Sequence, residues 1–335
     1  MEPRIIYTQH SGRTVEDGRF SHMMAITLDP NTGYREGLIR CITSREGNVE
    51  IKGYVDHSQL FKISGDSLER FTVGERLQIQ NEKEVLDILT PEGWECIGLE
   101  DPDIWVDPQN QLIHLYFTVP VKPPTKENKI RIHLGHAVGK NLNSLEMTLP
   151  VLLDNQSVGS EAKSAKEVSI APINSKGIRY NLIESRDRDP EGTYSIVRVA
   201  IAKDMGVPWE YGDIVFHPAE HRFPWIGGHA SPGPLLPRTF YDAGENKLLG
   251  IMNGREANTK AGNETKYGVF SVGLFIYDYE LGKIDWVSPK PCIRDTEAKT
   301  ITFASQFVET GKGEGILYAH VDDSFVRAYT LRVEH

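Results

Sequence analysis

The turn Asp107-Pro108-Gln109-Asn110 and the run that follows it, Leu112-Ile113-His114-Leu115-Tyr116-Phe117, decide the fold class of this chain. Asp and Asn bond back to their own backbone and Pro fixes φ, so the first segment is a turn. The second is apolar and aromatic but too short to be a helix of ordinary length, and it reads as a buried strand. The same pair of signals recurs twice. Asp242-Ala243-Gly244-Glu245-Asn246 precedes Lys247-Leu248-Leu249-Gly250-Ile251-Met252, and Glu309-Thr310-Gly311-Lys312-Gly313 precedes Gly315-Ile316-Leu317-Tyr318-Ala319. Helical periods are nearly absent, so hairpins dominate.

A faint internal repeat gives the architecture. His133-Leu134-Gly135-His136-Ala137-Val138-Gly139-Lys140-Asn141-Leu142 lies beside Val197-Arg198-Val199-Ala200-Ile201-Ala202-Lys203-Asp204-Met205 as a strand, a small residue and a basic-polar turn. Their spacing is roughly 65 residues, and five such units fill the chain, as four-stranded propeller blades require. The expectation is an all-β, five-bladed β-propeller in which residues 1–335 form one domain. A two-sheet sandwich is the structural alternative. The polar segments 121–129 and 154–165 read as loops between strands, with no domain boundary in either.

Composition excludes several classes. Hydrophobic residues make up 39% and charged residues 25%, ordinary values for a chain with a packed core. Asp and Glu number 47 against 37 Lys and Arg, with no basic run, so a nucleic-acid partner is not expected. No run of eighteen apolar residues suggests a membrane span. The apolar stretch after Met1-Glu2-Pro3-Arg4 is too brief for an export signal. Cys41, Cys96 and Cys292 are odd in number and far apart, which suits a reducing compartment, and a cytoplasmic location is expected.

The chemistry concentrates just upstream of the opening turn, in Gly98-Leu99-Glu100-Asp101-Pro102-Asp103-Ile104-Trp105. Asp-Pro starts turns on its own account, but three carboxylates around one Pro couple electrically, and such coupling raises the pKa of one member toward that of a general acid. The segment resembles the Glu-Asp-Pro motif of glycoside hydrolase family 130, the mannoside phosphorylases and β-mannosidases, within the wider five-bladed propeller glycosidases. Lys166-Glu167-Val168-Ser169-Ile170-Ala171-Pro172, Val199 through Met205 with Trp209, Trp225 through Pro234, and Thr302 through Asp323 resemble further family segments, in the family's order. Near the start, Gly37-Leu38-Ile39-Arg40 resembles its apolar strand ending in Arg.

The resemblance implies that Asp101 is the proton donor, that Arg40, Asp103, Lys166, Arg186, His229 and Asp322 hold sugar hydroxyls or the attacking group, and that Glu167 is the second carboxylate. Ion pairing with Lys166 or Arg179 is the structural alternative for Glu167. Three departures stand out: Asp103 where the family has Arg, Glu167 where it has Asp or Asn, and Asn253 where the phosphorylases have a phosphate-binding His. Glu256 and Glu264 reach the funnel mouth or, more simply, are solvated. Trp225 is a candidate sugar-stacking ring, whereas Trp94 and Trp105 suit packing between blades.

Glycoside cleavage needs an acid for the leaving oxygen and an attacking group on the opposite face. The expectation is therefore an inverting glycosidase acting on a β-mannoside or similar glycoside, with an oligosaccharide or glycoside as its partner and no metal or other cofactor. The alternatives are a mannoside phosphorylase with inorganic phosphate as co-substrate, and a propeller that only binds glycans. Homo-oligomerisation is left open by the sequence.

Overall fold

The computed structural model describes residues 2–47, 54–125, 129–155, 163–188, 193–261 and 264–334. Among the described residues its strand pairing gives five antiparallel units of four strands, the connectivity of a five-bladed propeller, and a separate two-stranded ribbon, Thr259–Ala261 with Glu264–Lys266. The first unit is Met23–Leu28, Glu36–Glu46, Val55–Ser67 and Arg70–Arg76. The second is Glu100–Val106, Ile113–Lys122, Arg131–Gly139 and Glu146–Leu152, with a short strand, Glu95–Cys96, also paired to Ile113–Lys122. The third is Lys166–Ser169, Arg179–Arg188, Thr193–Ala202 and Glu210–Phe216. The fourth is His229–Leu235, Lys247–Arg255, Phe270–Asp278 and Lys283–Val287, joined to the third by one parallel pairing, Ser195 with His229.

The fifth unit takes its outer strand from the other end of the chain. Ile5–Gln9 pairs along its whole length with Phe325–Val333, outside Glu314–Val321 and Thr302–Gly311. This hydrogen-bonded seam closes the ring and removes a free sheet edge. The repeat read in the sequence falls on corresponding elements, since 133–139 and 197–202 lie in the third strands of blades two and three. Segment 121–129 begins with the end of a strand, Ile113–Lys122; its residues 126–128, and 156–162 of the other expected loop, lie outside the described residues. One short helix, Glu82–Leu89, packs Val85 and Leu89 inward.

The core lies between blades, as it must where each sheet is covered on both faces and its strands read as continuous apolar runs. Ile113, Leu115, Phe117, Val119 and Val121 are fully buried in a single strand. Buried tyrosines peg blade to blade through their hydroxyls: Tyr318 donates to the Leu68 carbonyl (2.6 Å) and Tyr116 to that of Met205 (2.8 Å).

The innermost strands set up the site. In every blade their pairing slips: between Met24 and Thr27, Glu100 and Asp103, Lys166 and Val168, Pro232 and Leu235, and Ala304 and Gln306. In the first three blades the slip holds a left-handed residue, Ala25 (φ 50°), Asp101 (φ 46°) and Glu167 (φ 48°). Non-glycine residues occupy this region at an energetic cost and concentrate at functional sites.

Candidate active site

The five slipped strands enclose an axial cavity of about 170 Å³, lined by Ala25, Asp101 to Trp105, Glu167 to Ile170, Pro232 to Leu235 and Ala304 to Phe307. Asp101 and Glu167, 66 positions apart in sequence, thus share one cavity.

What brings Asp101 there is the glycine three positions earlier. Gly98 has φ 130° and lies against blade one, where the Ser58 amide donates to the Ile97 carbonyl (3.0 Å) and the Leu99 amide to the Ser58 carbonyl (3.3 Å). A Cβ on Gly98 would stand 1.9 Å from the Ser58 carbonyl oxygen, so no other residue allows this approach. The contact delivers Glu100 and Asp101 to Arg40. Its guanidinium donates to Asp101 Oδ1 (2.8 Å), Glu100 Oε1 (2.6 Å) and Ser58 Oγ (2.9 Å).

The charges in this cluster are strongly unequal. Burial would raise the pKa of Asp101, but the charges of Arg40 and Lys166 and the Arg40 hydrogen bond outweigh it and hold the carboxyl below its usual range. Its second oxygen, Oδ2, is buried with no hydrogen-bond partner among the described residues. Glu167 goes the other way: burial first, then the neighbouring Asp101 charge, push it well above the ordinary carboxylate range. No side-chain hydrogen bond of Glu167 occurs among the described residues, and Lys166, its sequence neighbour, turns instead to Glu184 (3.7 Å).

Glu184 forms the second half of the site. It accepts from His229 Nε2 at 3.0 Å, and although burial opposes its ionisation, His229 and Lys166 bring its pKa down to about 2. Burial lowers the pKa of His229 despite that carboxylate. On the blade-five side, His320 Nδ1 accepts from the Ala25 amide (3.3 Å), which leaves Nε2 as the donor to Asp323 (3.2 Å). Burial would raise Asp323, but His320 and the Arg40 charge keep it low.

The other expected residues fall into different places. Asp103 lines the cavity, but burial alone raises its pKa to about 7, with no charged group acting on it. It therefore stands apart from the Arg40 cluster, deeper along the strand. Asp322 is taken up by a turn, accepting from the amides of Lys299, Thr300 and Ile301, while its neighbour Asp323 pairs with His320 and feels the Arg40 charge. Arg186 lies two residues beyond Glu184 on the same strand face. Asn253 is wholly buried and clamps blade five to blade four, its amide donating to the Ala304 carbonyl (2.9 Å) and accepting from the Ala304 amide (2.8 Å).

Trp225 is core: its Nε1 donates to the Ser288 carbonyl (3.1 Å) and its ring fills the space over Gly254 and Gly273. Trp94 packs under Arg131, and Trp105, at the cavity wall, under Arg179. Glu256 is exposed, and the Glu264 side chain lies outside the described residues. Glu184, His320 and Asp323 were not singled out from the sequence. Their only local signal was position, each near the funnel end of a second strand or just beyond it. Among the described residues no three His, Cys, Asp or Glu side chains converge as metal ligands, and no helix is long and apolar enough to cross a membrane.

No protein-family model and no curated protein sequence matches the chain. Solved structures do. A candidate glycoside hydrolase from Parabacteroides distasonis ATCC 8503 superposes on 97% of this chain and 95% of its own, with a TM-score of 0.67 at 14% identity. A glycosyl hydrolase from Bacteroides ovatus covers 93% and 84%, with a TM-score of 0.62 at 16% identity. The mannose phosphorylase MPT-4 from Leishmania mexicana, solved with a phosphate ion, covers 95% and 86%, with a TM-score of 0.52 at 14% identity. At these identities the likeness is one of fold, extending over nearly the whole chain.

Proposed function

We propose that this chain is a glycoside hydrolase of the kind its sequence resembles, cleaving a β-mannoside or similar glycoside with inversion by means of Asp101 and Glu167. The observation that carries the reading is the shared cavity, in which two carboxyls on equivalent strained positions have their pKa values pushed in opposite directions. An acid and a base whose environments split their pKa values are what inverting hydrolysis requires.

The allocation of roles follows the electrostatics and is the reverse of the one the family resemblance implies. Glu167, whose pKa burial and the Asp101 charge raise, donates its proton to the leaving oxygen. Asp101 stays ionised beside Arg40, and its uncommitted Oδ2 takes the proton of the attacking water. Arg40, Glu184, His229 and Asp323 hold the ring hydroxyls through charge-assisted hydrogen bonds.

Hydrolysis is preferred to phosphorolysis because the cations whose charge acts on this pair already face carboxylates: Arg40 has Glu100 and Asp101, and Lys166 has Glu184. A phosphate dianion would have to displace them. Asn253, where the phosphorylases have His, is committed to Ala304.

Two assays test this. Release of sugar from aryl glycosides is measured with and without phosphate, and turnover only with phosphate refutes hydrolysis. Glu167→Gln is expected to lose about 10²- to 10⁴-fold on glycosides with poor leaving groups and far less on nitrophenyl glycosides, which need no acid, while Asp101→Asn loses activity on both. The opposite pattern returns the donor role to Asp101.

A further inference from the structure

Beside the paired cations of the funnel stands Arg255, which has no carboxylate partner among the described residues. It ends the second strand of blade four, where its backbone pairs with His229 on one side and Phe270 on the other. Its guanidinium lies 5.2 Å from the Tyr267 ring centre and 5.5 Å from that of Phe270, and its Nη1 donates to Asn258 Oδ1. Phe270 in turn sets its ring against His229, 4.9 Å away, the histidine that donates to Glu184. The Arg255 charge is felt by Glu184 and by Tyr54, which is itself within reach of Asp323 and Arg40. The pairing with His229 and the shared contact with Phe270 put the guanidinium beside the His229–Glu184 half of the site.

A half-buried guanidinium without a counter-ion is costly, and the rings that fix its plane offset only part of that cost. The site around it is acidic and the whole chain has a formal net charge of −10, so no diffuse attraction draws anions there. A single oriented fork of donors above an aromatic shelf suits a planar carboxylate joined to a sugar ring, the ring lying on Tyr267 and the carboxylate meeting Arg255.

We propose that Arg255, with Tyr267 and Phe270, forms an anion-receiving subsite beside His229 and Glu184 that takes the carboxylate of a uronic acid residue in the glycoside. Inorganic phosphate is the other source of such an anion. The proposal rests on the glycosidase reading only in taking the ligand to be a sugar.

Calorimetric titration tests it without reference to catalysis, because free sugars have no bond to cleave. Mannose, glucose and galactose are compared with their C6-carboxylate counterparts and with inorganic phosphate, on the parent protein and on Arg255→Met and Arg255→Lys, with thermal melting to confirm that each variant is folded. At least one acid sugar is expected to bind about ten- to hundredfold more tightly than its neutral partner, the preference vanishing in Arg255→Met and returning in part in Arg255→Lys. Phosphate binding that is lost in Arg255→Met, with no preference for acid sugars, keeps the anion subsite and assigns it to phosphate. Equal binding of acid and neutral sugars with no phosphate bound, or an acid preference that survives Arg255→Met, overturns the proposal. If both neutral and acidic aryl glycosides remain uncut while the acid preference holds, the hydrolase reading fails and the subsite stands.

Discussion

Arg40→Met offers a direct measure of the electrostatics that organise the funnel. The substitution keeps an unbranched side chain of similar length and removes the cation from two carboxylates, the half-buried Glu100 and the buried Asp101, at 2.6 and 2.8 Å. Deleting one partner of a buried ion pair costs about 3–5 kcal/mol when the abandoned charge stays ionised. For 335 residues, an unfolding entropy of about 2.1 cal/mol/K per residue sums to about 0.7 kcal/mol/K, so the expected fall in Tm is about 4–7 °C.

The sign of the pH dependence follows from Asp101. In the parent its pKa is depressed, so it contributes stability above its unfolded pKa. Without Arg40 that depression is lost and burial raises the pKa. The deficit is then largest at pH 8, where both groups must ionise in place, and shrinks toward pH 5 as they take up protons. Thermal melting followed by circular dichroism at the two pH values reads this directly. An equal loss at both would mean that Arg40 fills space and does not balance charge, and the electrostatic reading of the site would fall with it.

Three further substitutions test other links. Glu184 has its pKa brought down to about 2 from the ordinary glutamate range, worth about 3 kcal/mol that is present above the unfolded pKa and lost as pH falls toward 2; Glu184→Gln is therefore expected to lower the urea midpoint at pH 6 and much less at pH 3. Gly98→Ala places a Cβ 1.9 Å from the Ser58 carbonyl oxygen and is expected to cost about 3 kcal/mol or more, whereas Gly93→Ala (φ 79°, nothing within 4 Å) should cost only about 1–2 kcal/mol; comparable urea midpoints for the two would refute the close-approach account. His136 is buried and neutral, its pKa lowered by burial to about 3, so it contributes stability above its unfolded pKa near 6.5 that is lost as pH falls; His136→Asn should flatten acid unfolding between about pH 6.5 and 3, and an unchanged acid transition would remove His136 from that role.

The strands of this chain are legible in its sequence because their signals are local. A turn such as Asp107 to Asn110 and an apolar run such as Leu112 to Phe117 are fixed by neighbours a few residues away. The same holds for Gly98 through Trp105, which announces a crowded carboxylate segment, and for the repeat at 133–139 and 197–202, which falls on matching strands. From these the all-β class and the blade count can be read, whereas the candidacy of Asp101 and Glu167 comes from the resemblance of their segments to a known family.

Only the tertiary structure decided how those pieces meet. That Ile5–Gln9 closes the fifth blade depends on a pairing more than 300 residues long in sequence, invisible to any window. That Asp323 pairs with His320 while Asp322 is spent on a turn, that Asn253 is spent on Ala304, and that Glu184 and His320 belong to the site at all are consequences of blades converging on one axis. Protonation states belong to the same category. Glu167 and Asp101 are ordinary carboxylates as residue types, and only burial together with the cations each happens to meet drives them apart.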